Sequence, residues 1–596
     1  MSDAAPNTPN RPAFWRSTRL GAVAAGFFLI VGIPLFIRMP LWCDVTLYQT
    51  AVQAMSTGGT HYRDVFDTNP PGFPLALRGV QAIVGSSSDA IRIVDLLVFA
   101  TILILQCKLA RFAGAQRSDQ VWMVAGGASF YLFISEYCHL QRDFWMMVPA
   151  LAATLIRIRR INRLVEGERG LSTSIFGSLI AEGAIWALGC WIKPHVVLPA
   201  VMIWLLTSAT LWKRCQKPIR LIFGDAVGII MGVIPVFALA IGWLIMSGAW
   251  DAYLDVNRTW NSDYLLLIKK EILDRLVLEL FFFPPWSPLL LVAVPLSIVN
   301  FVRPFFRPWD GERFARMVLA GLFFSWVMTA MLVQRHFDYT HVPEVLLMMM
   351  LFAANRWIVT MFVILVQLIL AVLLITMGIP MTWSNMRMDE MNGYRPINYF
   401  INAHAALKPQ RTRYWLACIT DPSRETRRGV AMVWDRFGGI DPVELGAVAD
   451  YLKTQNLNDH ELIAWHDTPH ALYTMLKIKP GIRFMHITTM QTICQWNAES
   501  PNYKRLRDEV AAAIPKARFV VSDMHRVVDH EQGVPLESDA SGLPVSIPDW
   551  QRGQFPLNLP VVFRSPEGRY LVHRIDHPFT LGECKLPELV GHPIPW

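Results

Sequence analysis

The sequence predicts a mainly α-helical protein: a polytopic transmembrane bundle of about 11 helices followed by a soluble α/β domain. Three observations carry this expectation. Of 596 residues, 53% are hydrophobic and only 17% are charged, whereas soluble chains carry about a quarter charged residues. From Leu20 to Thr382 the apolar residues gather in blocks long enough to cross a bilayer, which takes roughly 17–25 residues per helix. Beyond Trp383 the composition is that of an ordinary globular protein, which sets the main boundary near Ile379-Pro380. The expected organisation is a cytoplasmic tail over 1–19, a membrane domain over 20–382 and an extracytoplasmic α/β domain over 383–596.

The first apolar block, Leu20 to Ile37, is too long for the apolar core of a signal peptide, and no A-x-A-like site follows it. It reads as a retained first helix. Further spans are expected near 91–107, 119–135, 144–158, 172–190, 194–212, 221–247, 277–301, 315–333, 342–355 and 357–379. Alternate loops are basic: Arg11, Arg16 and Arg19; Lys108, Arg111 and Arg117; Arg157, Arg159, Arg160 and Arg163; Lys213, Arg214, Lys217 and Arg220; Arg303, Arg307, Arg313 and Arg316; Arg356. The opposite loops are mixed or acidic, with Asp44, Asp64, Asp67, Glu136, Asp143, Asp251, Asp255, Asp263 and Asp338. The positive-inside rule then places the N-terminus in the cytoplasm; the expected location is the inner membrane. An odd number of spans puts the C-terminal domain outside.

The net charge of +8 sits in these short loops, where it orients helices rather than binding nucleic acid. Eight cysteines show no CxxC pair and no His/Cys ligand spacing, so a structural zinc site is not expected. The outward loops hold most of the carboxylates, histidines, tyrosines and tryptophans of the membrane half. Function is therefore expected on that face.

The first outer loop is the richest. Asp44 follows the first helix at the membrane boundary, where a carboxylate is costly unless paired or used. Residues 45–57 read as an amphipathic helix on the surface, with Leu47, Ala51, Ala54 and Met55 on one side, and Gly58-Gly59 breaks it. Asp64 and Asp67 flank a turn closed by Pro70-Pro71. This segment resembles the GT-C glycosyltransferases, whose pattern is an Asp after the first helix, a "Y-x-x-A" helix and a "G-x-x-Y-x-D-x-x-x-x-x-P-P" segment. Here these are Asp44, Tyr48 with Ala51, and Gly59 through Tyr62, Asp64, Pro70 and Pro71.

Three further segments are similar to the family. His139-Leu140-Gln141-Arg142-Asp143 carries a "Q-R-D/E" triplet, and Trp191-Ile192-Lys193-Pro194-His195 a "K-P-H" segment. Gln334-Arg335-His336-Phe337-Asp338-Tyr339-Thr340-His341-Val342-Pro343 follows a "Q-x-K-G-x-x-Y-H-x-x-P" pattern, with Arg335 at the Lys position and His336 replacing Gly. The resemblance covers roughly 20–380 and points to the protein mannosyltransferase and aminoarabinose transferase-like group.

That resemblance implies a GT-C-type bundle that takes a sugar from a polyprenyl-phosphate carrier and passes it, in an inverting reaction, to a lipid, glycan or protein acceptor. Such a transfer needs a base for the acceptor hydroxyl and cations for the leaving phosphate. Asp44 is the candidate base. Arg142, Lys193 and Arg335 are candidates for the donor phosphate, with His195 and His341 beside them. Tyr48, Tyr62, Asp64, Asp67, Asp143 and Tyr339 are candidates for the sugar or acceptor. Asp64 and Asp67 are also the candidates for a divalent cation such as Mg or Mn, which prefers carboxylate oxygens; the sequence requires none. Membrane lipids are the other expected partner.

The same residues have plainer readings. Asp44 is a candidate helix cap, Arg142-Asp143 an ion pair, and Lys193 an interfacial snorkel. The loop Trp250 to Asp274, with Tyr253, Asn257, Arg258, Trp260, Asn261, Asp263 and Tyr264, is a candidate acceptor surface or a membrane-interface belt. Phe281 to Trp286 reads as interface packing.

The C-terminal region alternates helical and strand patterns. A helix is expected over Pro442 to Thr454 with Asp441 as N-cap, and others over 468–476 and 503–513. Strands are expected over 461–465 and 518–522, then a hairpin over 561–563 and 570–575. No phosphate loop, nucleophile elbow or metal-spaced histidines occur; His466 and His470 lack a third ligand. Cys418, Cys494 and Cys584 face an oxidising side with no readable pairing.

A glycan polymerase or ligase would concentrate arginines in a large late loop, which this chain lacks. A transporter or flippase of lipid-linked glycans would bury charges mid-helix; Asp95 and Asp225 lie near helix starts, and no mid-span ladder is expected. A non-catalytic scaffold of a glycan assembly complex is the third alternative.

Overall fold

The structure, a computed structural model, describes residues 18–166, 173–261, 283, 285–334, 337–357, 359–366, 411, 413–432, 439–487, 501–528 and 534–579. Helices dominate its first part: α1 (Thr18–Arg38), α2 (Cys43–Ser56), α3 (Gly72–Val84), α4 (Ser88–Phe112), α5 (Arg117–Tyr131), α6 (Arg142–Trp145), α7 (Met147–Val165), α8 (Thr173–Ile192), α9 (Val197–Arg214), α10 (Pro218–Met246) and α11 (Trp250–Asp255). After these come α12 (Leu290–Val302), α13 (Gly311–Met328) and α14 (Val342–Ala354).

Among the described residues, seven helical stretches are long and apolar enough to cross a membrane: Thr18–Arg38, Ser88–Phe112, Ser174–Ile192, Pro194–Arg214, Pro218–Met246, Ser287–Phe306 and Gly311–Val333. They correspond to expected spans. Three more expected spans are helices that are shorter or more charged, α5, α7 and α14. Of the last, 357–379, only its first residues are described.

Close side-chain packing holds this bundle together. In α13, apolar side chains on every face are buried, including Phe314, Leu319, Leu322, Phe323 and Trp326; α14 is buried along its whole length. Both are therefore central, whereas α10 shows Ile230, Ile234 and Leu239 at its surface, as a lipid-facing helix does. Between α8 and α10 the backbones nearly touch: a Cβ at Gly183 or Gly232 would collide with a carbonyl of the other helix. Small residues permit that approach where water supplies no driving force between helices.

The loops sort to two ends. At one end the basic loops cap each other: Arg316 Nε donates to Ala113 O and Arg356 Nε to Gly114 O, both at 2.9 Å. Arg214 Nη2 donates to Pro304 O at 3.2 Å and Arg307 O at 2.5 Å. At the other end lie α2, α3, α6 and the loop before α14. Between the ends is a cluster that departs from expectation. Arg157 and Arg160 of α7 meet Glu182 of α8 and Asp225 of α10 at 2.6–2.9 Å, all four buried. The arginines read as loop residues in the sequence, and Glu182 vanished into an apolar block. Charge does enter the bundle, but two cations against two anions cancel, which is how such a cluster is tolerated in lipid.

The later part of the chain begins with α15 (Trp415–Thr420) and α16 (Arg424–Val430) and continues with α17 (Pro442–Lys453), α18 (Ala471–Leu476), α19 (Pro501–Ala513) and α20 (Asp549–Arg552). Four strands, β1 (Leu462–Ala464), β2 (Phe519–Asp523), β3 (Val561–Arg564) and β4 (Tyr570–Arg574), form one sheet in the order β1-β2-β4-β3. β1 runs parallel to β2, with Ile463 opposite Val520; β4 is antiparallel to both neighbours. Asp441 caps α17 as expected, accepting from Val443 N and Glu444 N. Cys418 carries a free, buried thiol; Cys494 and Cys584 lie outside the described residues.

This sheet region sits on the acidic end of the bundle. Arg38 at the end of α1 and Arg427 of α16 share Asp89, and Arg38 Nε donates to Cys418 O at 2.8 Å. One apolar cluster runs from Tyr62 and Phe66 through Trp260 to Phe484, Ile487 and Leu506.

Candidate active site

α2 positions the central carboxylate. Trp42 is extended, and the chain turns into helix at Cys43, so Asp44 falls in the first turn. Its side chain reaches across loops, to partners far away in the sequence. Gln141 Nε2 donates to Asp44 Oδ2 at 3.3 Å, and His486 Nε2 lies 3.3 Å from Oδ1. The carboxylate remains 22% exposed, open enough to meet a substrate. Burial pushes its pKa up, but His486, then Arg142 and Gln141, outweigh it and hold Asp44 below the ordinary carboxylate range. It is therefore ionised at neutral pH, as a proton acceptor must be.

Two cations stand near it, each tied to a partner. Arg142 opens α6 and donates through Nη1 to Asp67 Oδ1 and Oδ2 at 3.0 and 3.2 Å. Its guanidinium lies over the Tyr48 ring, 4.5 Å from the centroid. Burial alone would lower its pKa, and Asp67 overrides that to keep the charge fixed. Lys193 follows α8 and donates to Asp143 Oδ2 at 2.6 Å and Gln334 Oε1 at 2.9 Å. Those bonds use two of its three donors. Burial draws the ammonium's pKa down, with Asp143 opposing. Tyr339 packs beneath it at 5.8 Å and edge-on to Tyr137 at 5.2 Å.

The structure thus gathers Asp44, Tyr48, Asp67, Arg142, Asp143, Lys193 and Tyr339 at one end of the bundle. His195 lies within the electrostatic reach of Lys193, Asp143 and Arg142. His341 is turned toward Glu344 of α14, Nδ1 to Oε1 at 3.3 Å. Asp64 is used by its own loop, accepting from Thr60 N at 2.6 Å and pairing with Arg63 at 3.2 Å. Tyr62 is buried, with a left-handed backbone (φ 67°), and donates its hydroxyl to Asn69 O at 2.6 Å. Both residues build the loop rather than line the opening. Arg335 and His336 lie outside the described residues.

Two expectations need correction. α2 is not a surface helix: Leu47, Tyr48, Gln49, Thr50, Ala51 and Val52 are buried, because α18 covers the side that the sequence left to solvent. The amphipathic alternation is real, but its polar face meets protein. In the loop after α11, Trp260 is buried between Phe66 and Phe484 at 5.4 and 5.2 Å. It is unavailable for stacking on a sugar. Asp263 and Tyr264 lie outside the described residues.

Sequence reasoning missed His486, since nothing near it forms a motif. Gln141 and Gln334 stood inside quoted motifs, yet only the fold shows them bonding Asp44 and Lys193. His466 and His470 do not pair: His466 Nδ1 accepts from Asp523 N at 2.8 Å, while His470 Nε2 lies 2.8 Å from both Cys43 O and Thr46 Oγ1. For a divalent cation, Mg or Mn would need a cage of carboxylate oxygens. Asp67 accepts from Arg142 and Asn69 N, and Asp64 from Thr60 N and Arg63 of its own loop. Among the described residues, the His, Cys and carboxylate groups gathered at Asp44 are the Cys43 thiol and the His486 imidazole, all within 4.8 Å. That thiol and imidazole set is not the all-oxygen cage that Mg or Mn takes.

With this geometry in view, the structure of ArnT from Cupriavidus metallidurans bound to undecaprenyl phosphate matches over 94% of this chain and 98% of that one. The two are 13% identical, with a TM-score of 0.50. The chain has the GT-C fold. ArnT in the apo state matches 93% of the chain and 97% of its own, at 10% identity and a TM-score of 0.48. The Archaeoglobus fulgidus oligosaccharyltransferase tethered with an acceptor peptide matches 86% and 70%, at 11% and 0.42. No family model matches the chain, and no curated relative matches it in sequence. The GT-C architecture makes this a multi-pass membrane protein, with Asp44 behind its first helix.

Proposed function

We propose that this protein is an inverting membrane glycosyltransferase that moves a sugar from a polyprenyl-phosphate-linked donor to an acceptor on the extracytoplasmic face of the inner membrane. The observation that carries the reading is one ionised carboxylate, Asp44, part-exposed beside two buried cations, Arg142 and Lys193. A base next to anion-binding groups is what sugar transfer from a phosphate carrier requires. The undecaprenyl phosphate held by ArnT agrees with that donor class.

In this reading Asp44 takes the proton of the acceptor hydroxyl as its oxygen bonds the anomeric carbon. The bond from that carbon to the phosphate oxygen breaks, and its electron pair leaves with the polyprenyl phosphate. Lys193, with its remaining donor, and Arg142 stabilise the charge gained there; Arg335 and His195 are further phosphate candidates. Tyr48, Asp67, Asp143 and Tyr339 shape the sugar and acceptor side, with Asp67 and Asp143 holding the cations in place. Residues 383–596 form the extracytoplasmic domain.

The quartet of Arg157, Arg160, Glu182 and Asp225 does not favour a transporter. Every carboxylate oxygen in it already accepts from an arginine, leaving no vacant carboxylate for a moving ion.

The test is release of labelled sugar from a panel of polyprenyl-phosphate sugars by purified protein, with membrane extract as acceptor source. Wild type is expected to transfer from one donor, and Asp44→Asn to lose at least about 100-fold in kcat, the scale of general-base catalysis. Equal rates in a folded Asp44→Asn protein would remove Asp44 as base.

A further inference from the structure

We infer that His486, carried by the C-terminal domain, is the positioning residue of the catalytic carboxylate, so the active site is assembled from both halves of the chain. This rests on Asp44 acting as base.

The imidazole stands between two carboxylates. Nε2 lies 3.3 Å from Asp44 Oδ1, and Nδ1 lies 3.9 Å from Asp467 Oδ1. Asp467 is buried, 1% exposed, and His470 packs edge-on against the His486 ring at 5.4 Å. With Gln141 on Oδ2, each oxygen of Asp44 is addressed from a different side. An aspartate otherwise rotates freely about its terminal bond; here rotation would break one contact or the other.

The segment bearing His486 is itself clamped to the first outer loop. Phe66 N donates to Arg483 O at 2.9 Å, and Arg483 Nη1 to Tyr62 O at 3.3 Å. Arg483 is fixed from behind by Glu509 at 2.6 Å. Phe484 packs on Phe66 at 5.1 Å, and Met485 and Ile487 are buried. Packed against the His486 ring, His470 grips Cys43 O and Thr46 Oγ1, on either side of Asp44, at 2.8 Å. A mere tether between domains would not bracket one side chain from both sides. His486 exchanges no atoms in the reaction: the acceptor proton goes to Asp44, and His486 holds the receiving carboxylate on line.

The experiment compares wild type, Asp44→Asn, His486→Ala and His486→Gln as full-length proteins with the polyprenyl-phosphate sugar that wild type uses. His486→Ala is expected to lower kcat by about 10- to 100-fold, the cost of a misplaced reacting group. Donor KM should stay within about twofold, because ground-state binding is untouched. His486→Gln, whose amide N–H reaches the same oxygen, should recover about tenfold of that loss if orientation is what matters. If Asp44→Asn is inactive and His486→Ala runs at the wild-type rate, this inference alone falls. If His486→Ala does not fold, His486→Gln decides: a kcat as low as that of Asp44→Asn overturns the inference, and one near wild type supports it. Transfer by Asp44→Asn at the wild-type rate overturns both readings.

Discussion

Asp523, at the end of β2, accepts from Arg569 Nε and Nη2 at 3.1 and 3.0 Å, from Thr468 Oγ1 at 2.5 Å and from His525 N at 3.0 Å. Burial pushes its carboxyl up, but the Arg569 guanidinium and these bonds hold it far below the ordinary range. A carboxylate depressed in the folded state stabilises fully above its unfolded value of about 3.9 and progressively less as pH falls toward the folded value. The melting temperature should thus be insensitive to this group from neutral pH down to about 4 and fall below it. Asp523→Asn should flatten that acid limb and cost about 3–5 kcal/mol at neutral pH, since the buried Arg569 loses its paired carboxylate; melting of both proteins against pH checks this. At the same scale, Asp44, Arg142 and Lys193 were legible because each stands in a short motif beside a helix end. His486 was not, because what makes it functional is a neighbour from another part of the chain.

Among the elements, α7, α8 and α10 are tied by the charged quartet, and α9 joins through Thr207 Oγ1, which accepts from Arg157 Nη1 at 3.0 Å. Glu182→Gln would leave two arginines facing one aspartate inside the bundle. Losing one partner of a buried pair costs about 3–5 kcal/mol, so the detergent-solubilised protein should melt clearly lower. An unchanged melting temperature would show that Glu182 does not stabilise the bundle. Hydropathy located these helices because their apolar blocks are long, but it could not register the quartet, since one glutamate barely changes a block average. Likewise α2 was legible as an amphipathic helix, while its cover was not: α18 and its contacts with Gln53, through Tyr473 O and Ile478 O at 3.1 and 3.0 Å, depend on tertiary packing alone. The C-terminal elements were legible where a cap or a continuous apolar run marked them, as at Asp441 and in β2.

Taken whole, the molecule puts the loops bearing Asp44, Arg142, Lys193 and Gln334 at one end and the mutually capping basic loops at the other. The sheet region shares the first end. If that end is extracytoplasmic, a cysteine at exposed Asp508 should react with a membrane-impermeant maleimide in intact cells, and one at exposed Lys217 only after lysis. Labelling of both without lysis would sink the orientation. Loop charge made this arrangement readable, because the bias that orients helices acts on local sequence. Which loops then touch is set by bundle packing and had to come from the fold.

The grip of His470 on α2 also has a consequence in time. Its imidazole and the Cys43 carbonyl it meets are 427 residues apart in the chain. At ribosomal rates of about 5–20 residues per second, roughly 20 to 90 s separate the emergence of the two. Throughout that interval the first outer loop waits, its polar helix face uncovered and its carboxylate unsupported. A nascent chain stopped before His470 would hold the membrane helices yet not the finished site, so synthesis itself would act as a delay on activity, released only when the segment bearing His470 and His486 has been made and has docked.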